Sequence, residues 1–382
     1  MHNHRHPINC ILPPHVLHEI AKNGSEEQKN KAIDTLKTSE QMRGHRRALT
    51  DFSGAVMRFT AVAGKERIVY DAKHASSLPG TIVRKEGDPA SSDVAVNEAY
   101  DGAGATYDLY KNIYNRDSID NKGMRIDSTV HYQNGYDNAF WDGQQMVYGD
   151  GDGNLFNRFT IAIDVIGHEL THGVTQFEAG LNYSQQSGAL NESMSDVFGS
   201  LVKQYSMKQT AADADWLIGQ GLLTPGVKGI ALRSMKAPGT AYDDPVLGKD
   251  PQPATMTDYV NTTSDNGGVH INSGITNHAF YVVATEIGGY AWEKAGQIWY
   301  VTLRDKLTAT SNFQECADLT YQTAADLFGA GSLEQQAVKA GWAEVGIAMS
   351  GTTPPIPPTP TPTPQPSGNG CLGSLLKLIG AA

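Results

Sequence analysis

The chain has 382 residues, 40% of them hydrophobic, enough to bury a large core and hold two lobes. Its formal net charge of -11, with no basic block, argues against nucleic acid as a partner. Three widely spaced cysteines (Cys10, Cys316, Cys371) do not suit a disulfide framework, and no stretch reaches membrane-spanning length.

The amino terminus, MHNHRHPINCILPPHVLHEIA, lacks the continuous apolar run and small-residue cleavage site of a signal peptide. Export by a non-standard route is expected, with retention in the cytoplasm as the alternative. Residues 15–48 read as a short helical region with charge on most faces, ending in a polar, cleavable stretch. Strands are expected over 66–70 and 80–84, around the Pro79-Gly80 turn. A helix is expected over 92–114, although Gly102 and Gly104 each cost about 1 kcal/mol relative to alanine. MRIDSTVHY (124–132) alternates as a strand does, and NAFWDGQQMVYGDG (138–151) reads as another.

The acidic loop 148–156 places Asp150, Asp152 and Asn154 like the first ligands of an EF-hand. Leu155 stands where that loop needs glycine and Ile161 where it needs glutamate, so a turn beside the cleft is expected instead. From Ala162 on, helical spacing prevails over 163–178, 188–205, 271–287, 291–303, 311–328 and 334–346. The pattern predicts an α+β molecule with a strand-rich first lobe, a mainly helical second lobe and a substrate cleft between them. From 351, GTTPPIPPTPTPTPQPSGNG reads as an extended spacer. Beyond it, CLGSLLKLIGAA sets Leu372, Leu375, Leu376 and Ile379 at helical spacing. That stripe is expected to meet a partner, a membrane surface or the protein's own body, or to fray.

The first of these helices carries the chemistry. In His168-Glu169-Leu170-Thr171-His172 the two imidazoles lie four residues apart, on one face, where both can reach a single zinc ion. Glu169 then points beside the metal, which suits a general base for a water held there. A catalytic zinc takes three protein ligands and keeps one open position. Glu192, twenty residues past His172 in GALNESMSD, can be the third. Asp196 and Asn191 can accept from the far nitrogens of the two histidines and fix their tautomers. The blander alternative is a solvated histidine pair and an ordinary acidic helix face, but Leu190, Met194 and Phe198 around Glu192 make unpartnered carboxylates costly there.

Amide hydrolysis also develops charge on the carbonyl oxygen. His270, after Gly267-Gly268, can answer that charge, with Asp265 orienting it and keeping it protonated. Tyr183 supplies a phenol between the ligand helices. A helix-cap histidine and a rim aromatic are the plain alternatives.

Over roughly residues 65–347 the chain resembles the thermolysin-like neutral metallopeptidases. HELTH, GALNESMSD, NAFWDG, YGDGDG, LRSM and DNGGVHINSGITNHAFY occur in that family's order. The resemblance implies a two-lobed zinc endopeptidase acting on proteins and peptides, with one catalytic zinc on His168, His172 and Glu192. It implies Glu169 as the base, His270 and Tyr183 as oxyanion stabilisers, and Asp265 as the group orienting His270. It further implies that Asn138 and the Ala139 backbone hold the substrate main chain. Arg233, with Phe156, Phe159, Val165 and Leu232, is implied as the pocket for a bulky apolar residue after the cut.

ILPPHVL (11–17) is similar to the Pro-Pro element of the short precursor segment in the protealysin-like branch. Residues 1–50 are therefore expected to be an inhibitory propeptide of a zymogen, with Cys10, Pro13 and Pro14 as its inhibitory candidates. A Cys10 thiolate on the zinc is one form of that inhibition; a thiol not engaged with the metal is the slightly favoured alternative. The other expected boundaries are lobes at 51–162 and 163–349, a linker at 350–370 and a tail at 371–382. Relatives with a double Ca²⁺ site place several carboxylates near the zinc helices. Here Asp164 and Asp215 match, but Lys203, Leu217 and Gln220 do not, so that site is expected to be absent and calcium elsewhere is left open. A monomer is expected. The competing function is a catalytically idle scaffold, which would have no use for Glu169.

Overall fold

The computed structural model describes residues 9–52 and 64–350; the spacer, the tail and Cys371 lie outside the described residues. The first lobe is built on six strands: β1 (Asn9–Cys10), β2 (Arg67–Asp71), β3 (Thr81–Lys85), β4 (Ile126–Val130), β5 (Ala139–Trp141) and β6 (Gln145–Tyr148). They lie in the order β1-β5-β6-β4-β2-β3, with β4 parallel to both β2 and β6 and the other pairs antiparallel. The segment expected as one strand over 138–151 is a hairpin. Asp142 accepts from the backbone of Gln144 (2.8 Å) and Gln145 (2.9 Å), and Gly143 turns with φ 102°.

Three helices precede the second lobe's own. The expected helical region 15–48 is two helices, α1 (Pro14–Asn23) and α2 (Glu26–Phe52). The break is a capping box: Ser25 Oγ accepts from Gln28 N (3.3 Å), and the Gln28 side chain accepts from Ser25 N (2.8 Å). Against the sheet packs α3 (Val94–Tyr114), capped by Asp93 accepting from Ala95 N. Its Gly102 has a packing reason: a Cβ there would lie 2.4 Å from Ile166 Cδ1. The penalty in helix propensity is the cost of a close helix crossing.

The second lobe consists of α4 (Ile163–Phe177), α5 (Gln185–Met207), α6 (Asp265–Ile287), α7 (Lys294–Asp305), α8 (Phe313–Phe328) and α9 (Leu333–Glu344). Helices α4, α5 and α6 form its buried centre, with α9 against α6. Between α5 and α6 a two-stranded ribbon pairs β7 (Leu217–Ile218) with β8 (Arg233–Ser234), Ile218 opposite Arg233. Within α6, Asn266, Gly267 and Gly268 hold positive φ (51°, 91°, 77°), so the regular helix starts at Val269. A continuous apolar core runs through both lobes, and the N-terminal residues Ile11, Leu12, Val16, Leu17 and Ile20 are part of it.

Candidate active site

His168 and His172 both lie on the fully buried face of α4, and Glu192 faces them from α5. His168 donates from Nδ1 to Asp196 Oδ1 (2.8 Å), and His172 donates from Nδ1 to Asn191 Oδ1 (2.8 Å) with Ser195 Oγ at 3.0 Å. Those bonds leave both Nε2 atoms as lone-pair acceptors facing each other at 3.0 Å. Two lone pairs at that distance repel unless a metal cation, or a proton on one ring, sits between them. Glu192 brings one oxygen to 3.4 Å from His168 Nε2 and the other to 3.5 Å from His172 Nε2. Three donors on one tetrahedral zinc stand about 3.3 Å apart, given metal–ligand bonds of 2.0–2.2 Å. The observed edges fit, and buried Glu192 Oε2 has no hydrogen-bond partner.

Glu169 is buried beside this triangle, with an oxygen within 4.8 Å of nitrogens of both histidines. The two oxygens of Glu192 each face one of the Nε2 atoms, whereas one oxygen of Glu169 is tied to the backbone. Glu169 Oε2 accepts from the Trp141 backbone N–H (3.1 Å), and Oε1 has no protein partner. Burial pushes its carboxyl well above the ordinary carboxylate range, against the pull of His168.

Asp196 does more than orient His168. Its two oxygens accept from His168, from Arg233 Nε and Nη2 (2.8 Å each) and from Asn277 Nδ2 (2.8 Å). Burial works against its charge, but the Arg233 guanidinium and His168 prevail and hold the carboxyl down at about 2. One carboxylate thus fixes both a metal-facing histidine and the arginine of the expected side-chain pocket. Phe156, Phe159, Val165 and Leu232, expected to line that pocket, are all buried.

On the far side of the cleft, Asp265 takes two hydrogen bonds from one residue: His270 Nδ1 (2.6 Å) and His270 N (2.9 Å). The left-handed turn over Asn266–Gly268 folds the chain back so that both bonds form. Burial disfavours charge on His270, but the Asp265 and Glu192 carboxylates prevail and raise its pKa. Tyr183 Oη lies 3.1 Å from His270 Nε2 and donates to Glu192.

The N-terminal segment lies in this cleft. His270 Nε2 is 3.1 Å from the Cys10 carbonyl; Ile11 N donates to Ala139 O (3.2 Å); Arg233 Nη1 donates to Ile11 O (3.0 Å); Leu12 N donates to Asn138 Oδ1 (3.0 Å). The Cys10 side chain reaches toward α2. Its Sγ is 4.0 Å from Ser39 Oγ of α2, in a second apolar cluster with Tyr132, Tyr136, Phe140 and Val147. Pro13 and Pro14 set the start of α1. Lys203, at a position that carries a carboxylate in the expected calcium site, reaches Asp215 (2.8 Å), Asp164 (3.3 Å) and the Leu217 carbonyl (3.4 Å).

Three contributors escaped the sequence reading: the Trp141 N–H, Ser195 and Asn277. Asn277 had a signal, being seven residues past His270 and so two turns along the same helix face. The Trp141 N–H had none, because a backbone donor carries no residue signature.

Known proteins resemble this chain over most of its length. Residues 24–176 match the model of the thermolysin metallopeptidase catalytic domain, and 179–347 that of its alpha-helical domain. An extracellular metalloprotease of Pectobacterium carotovorum is 51% identical over 345 residues, 90% of this chain and 97% of that protein. A neutral protease of Geobacillus stearothermophilus is 45% identical over 294 residues, covering 74% of this chain and 51% of that protein. The solved precursor of protealysin, a metalloproteinase from Serratia proteamaculans, superimposes with TM-score 0.81 at 53% identity, over 89% of this chain and all of that one. The chain belongs to the thermolysin family of zinc metalloendopeptidases, in its protealysin-like branch.

Proposed function

We propose that His168, His172 and Glu192 hold the catalytic zinc and that Glu169 is the general base of an autoinhibited endopeptidase. The observation that carries this reading is the 3.0–3.5 Å triangle of Nε2, Nε2 and carboxylate oxygens beside the unpartnered Glu169 Oε1. Zinc, when bound, polarises the substrate carbonyl and lowers the pKa of a coordinated water. Glu169 Oε1 takes a proton from the attacking water and passes it to the leaving nitrogen, while the Trp141 N–H holds the other oxygen still.

His270 Nε2 and Tyr183 Oη stand where negative charge grows on the carbonyl oxygen, and Asp265 holds His270 in place and protonated. Asp196 and Asn191 orient the two histidines. Asn138 and the Ala139 carbonyl hold the substrate main chain along β5, and Arg233 holds the carbonyl of the residue after the cut. Phe156, Phe159, Val165 and Leu232 select a bulky apolar side chain there.

Residues 1 to about 50 act as the inhibitory prosegment, through the main chain of residues 10–12 rather than through a Cys10 thiolate. The lobes follow at 51–162 and 163–349. Release from the cell is supported by the name of the Pectobacterium relative.

The test is hydrolysis of casein and of a furylacryloyl dipeptide by protein freed of its prosegment. A zinc chelator is expected to abolish both activities and added zinc to restore them. Glu169→Gln is expected to keep zinc and the fold but lower kcat by about 10²–10⁴-fold. Activity that survives that substitution would remove the proposed base.

A further inference from the structure

The N-terminal segment meets the cleft in a definite order. Going along the chain, the Cys10 carbonyl faces His270, the Ile11 N–H faces the Ala139 carbonyl, the Ile11 carbonyl faces Arg233, and the Leu12 N–H faces Asn138. Asn9 and Cys10 continue as β1, antiparallel to β5 with Asn9 opposite Trp141 and Cys10 opposite Phe140. With the roles proposed above, the oxyanion group marks the carbonyl before a cut and Arg233 the residue after it. Only one peptide bond lies between those two marks.

We infer that the Cys10–Ile11 bond is held in the cutting register of the chain's own active site and is a self-cleavage site of the precursor. This rests on the residue roles under Proposed function. Ile11 is fully buried and offers the bulky apolar side chain that the pocket after the cut is built to take. Glu169, with its unpartnered Oε1, lies on the same face of the cleft through the Trp141 N–H. In the reaction the water oxygen bonds to the Cys10 carbonyl carbon and the C–N bond to Ile11 breaks. Glu169 carries the two protons of the water in turn to the Ile11 nitrogen, giving a Cys10 carboxylate and an Ile11 ammonium.

The cut does not by itself free the cleft. Leu12, Val16, Leu17 and Ile20 stay in the core, and the Arg233 and Asn138 bonds lie on the retained side. The retained segment then sits as a bound product, and full activation needs a later cut.

The experiment is intact-mass and N-terminal analysis of the zinc-loaded full chain over time and over a dilution series. A species beginning at Ile11, formed at a rate independent of concentration and absent in Glu169→Gln, is expected. Ile11→Asp, which puts a charge in an apolar pocket, should slow that cut at least about 100-fold. As a readout without turnover, Glu169→Gln carrying Ile11→Asp should bind a fluorescent leucine-containing peptide that Glu169→Gln alone excludes. If the prosegment-free enzyme digests casein while the full chain never yields an Ile11 terminus, the inference is overturned and the peptidase reading stands. If casein is not digested either, the peptidase reading itself fails. The wild-type mapping needs no variant, so misfolding of Ile11→Asp would not protect the inference.

Discussion

Single side chains in this protein act through shared partners. His131 donates from Nε2 to Asp93 (2.8 Å) and from Nδ1 to Asp150 (2.9 Å), and so joins the cap of α3 to the acidic loop beside the cleft. The Asp150 hydrogen bond, with that to Asp93, raises its pKa from 6.5 to about 9 in spite of partial burial. His74, 3.5 Å from Asp150, and Arg158 also face these carboxylates. The folded pKa lies above the unfolded one, so the stabilisation is complete below about pH 6.5 and is lost as pH rises through about 9. The unfolding free energy measured from pH 6 to 10 is expected to fall across that window by on the order of 2 kcal/mol, and His131→Gln to flatten the fall. An unchanged slope in that variant would exclude His131 as the group responsible.

Among the elements, the α4–α5 contact sets the metal geometry. A Cβ at Gly199 would lie 2.4 Å from the Asp164 carbonyl and 3.0 Å from His168 N. Gly199→Ala should force the two helices apart at a cost of about 1–3 kcal/mol. Because Glu192 and His168 sit on opposite helices, zinc affinity should fall with stability, which a zinc titration beside a melting curve reads out. The same helix pair carries Lys203, whose ammonium joins Asp164 and Asp215 internally. EGTA at a level that spares zinc should leave the melting midpoint unchanged. Lys203→Ala, which strands the buried Asp164 carboxylate, should cost about 3–5 kcal/mol. A large EGTA effect on the wild type would overturn this account of the site.

At the scale of the whole molecule, the N-terminal segment belongs to the same core as the lobes it covers. Leu12 is both buried and bonded to Asn138, so Leu12→Arg puts an unpaired charge into that contact. The full-length variant is expected to hydrolyse a dipeptide substrate at least about 10-fold faster than the wild-type precursor, corresponding to about 1.4 kcal/mol of lost inhibition. Equal initial rates, with processing blocked by low temperature, would mean that the segment does not inhibit through residues 10–12.

The sequence by itself determined the chemistry and the local geometry. The i, i+4 spacing puts His168 and His172 on one face wherever α4 forms, and the buried run around Glu192 makes a partnered carboxylate necessary. It also determined the division into a strand-rich and a helical lobe, since periods of two and of three to four residues are local properties. Helix ends were less legible: Ser25-x-x-Gln28 divides α1 from α2 through two weak bonds that the surrounding charge pattern obscured.

Only the tertiary structure decided what the N-terminal segment offers the site. The choice between the Cys10 thiol and the Cys10 carbonyl depends on which face of β1 meets β5. That is fixed by contacts such as His270 to Cys10, 260 positions apart, and Arg233 to Ile11, 222 apart. Likewise, Asp196 serves both His168 and Arg233 because β8 returns beside α5, a fact of packing. Short-range periodicity is written in neighbouring residues. The pairing of distant hydrogen-bond donors and acceptors depends on how whole elements pack, and no local pattern encodes it.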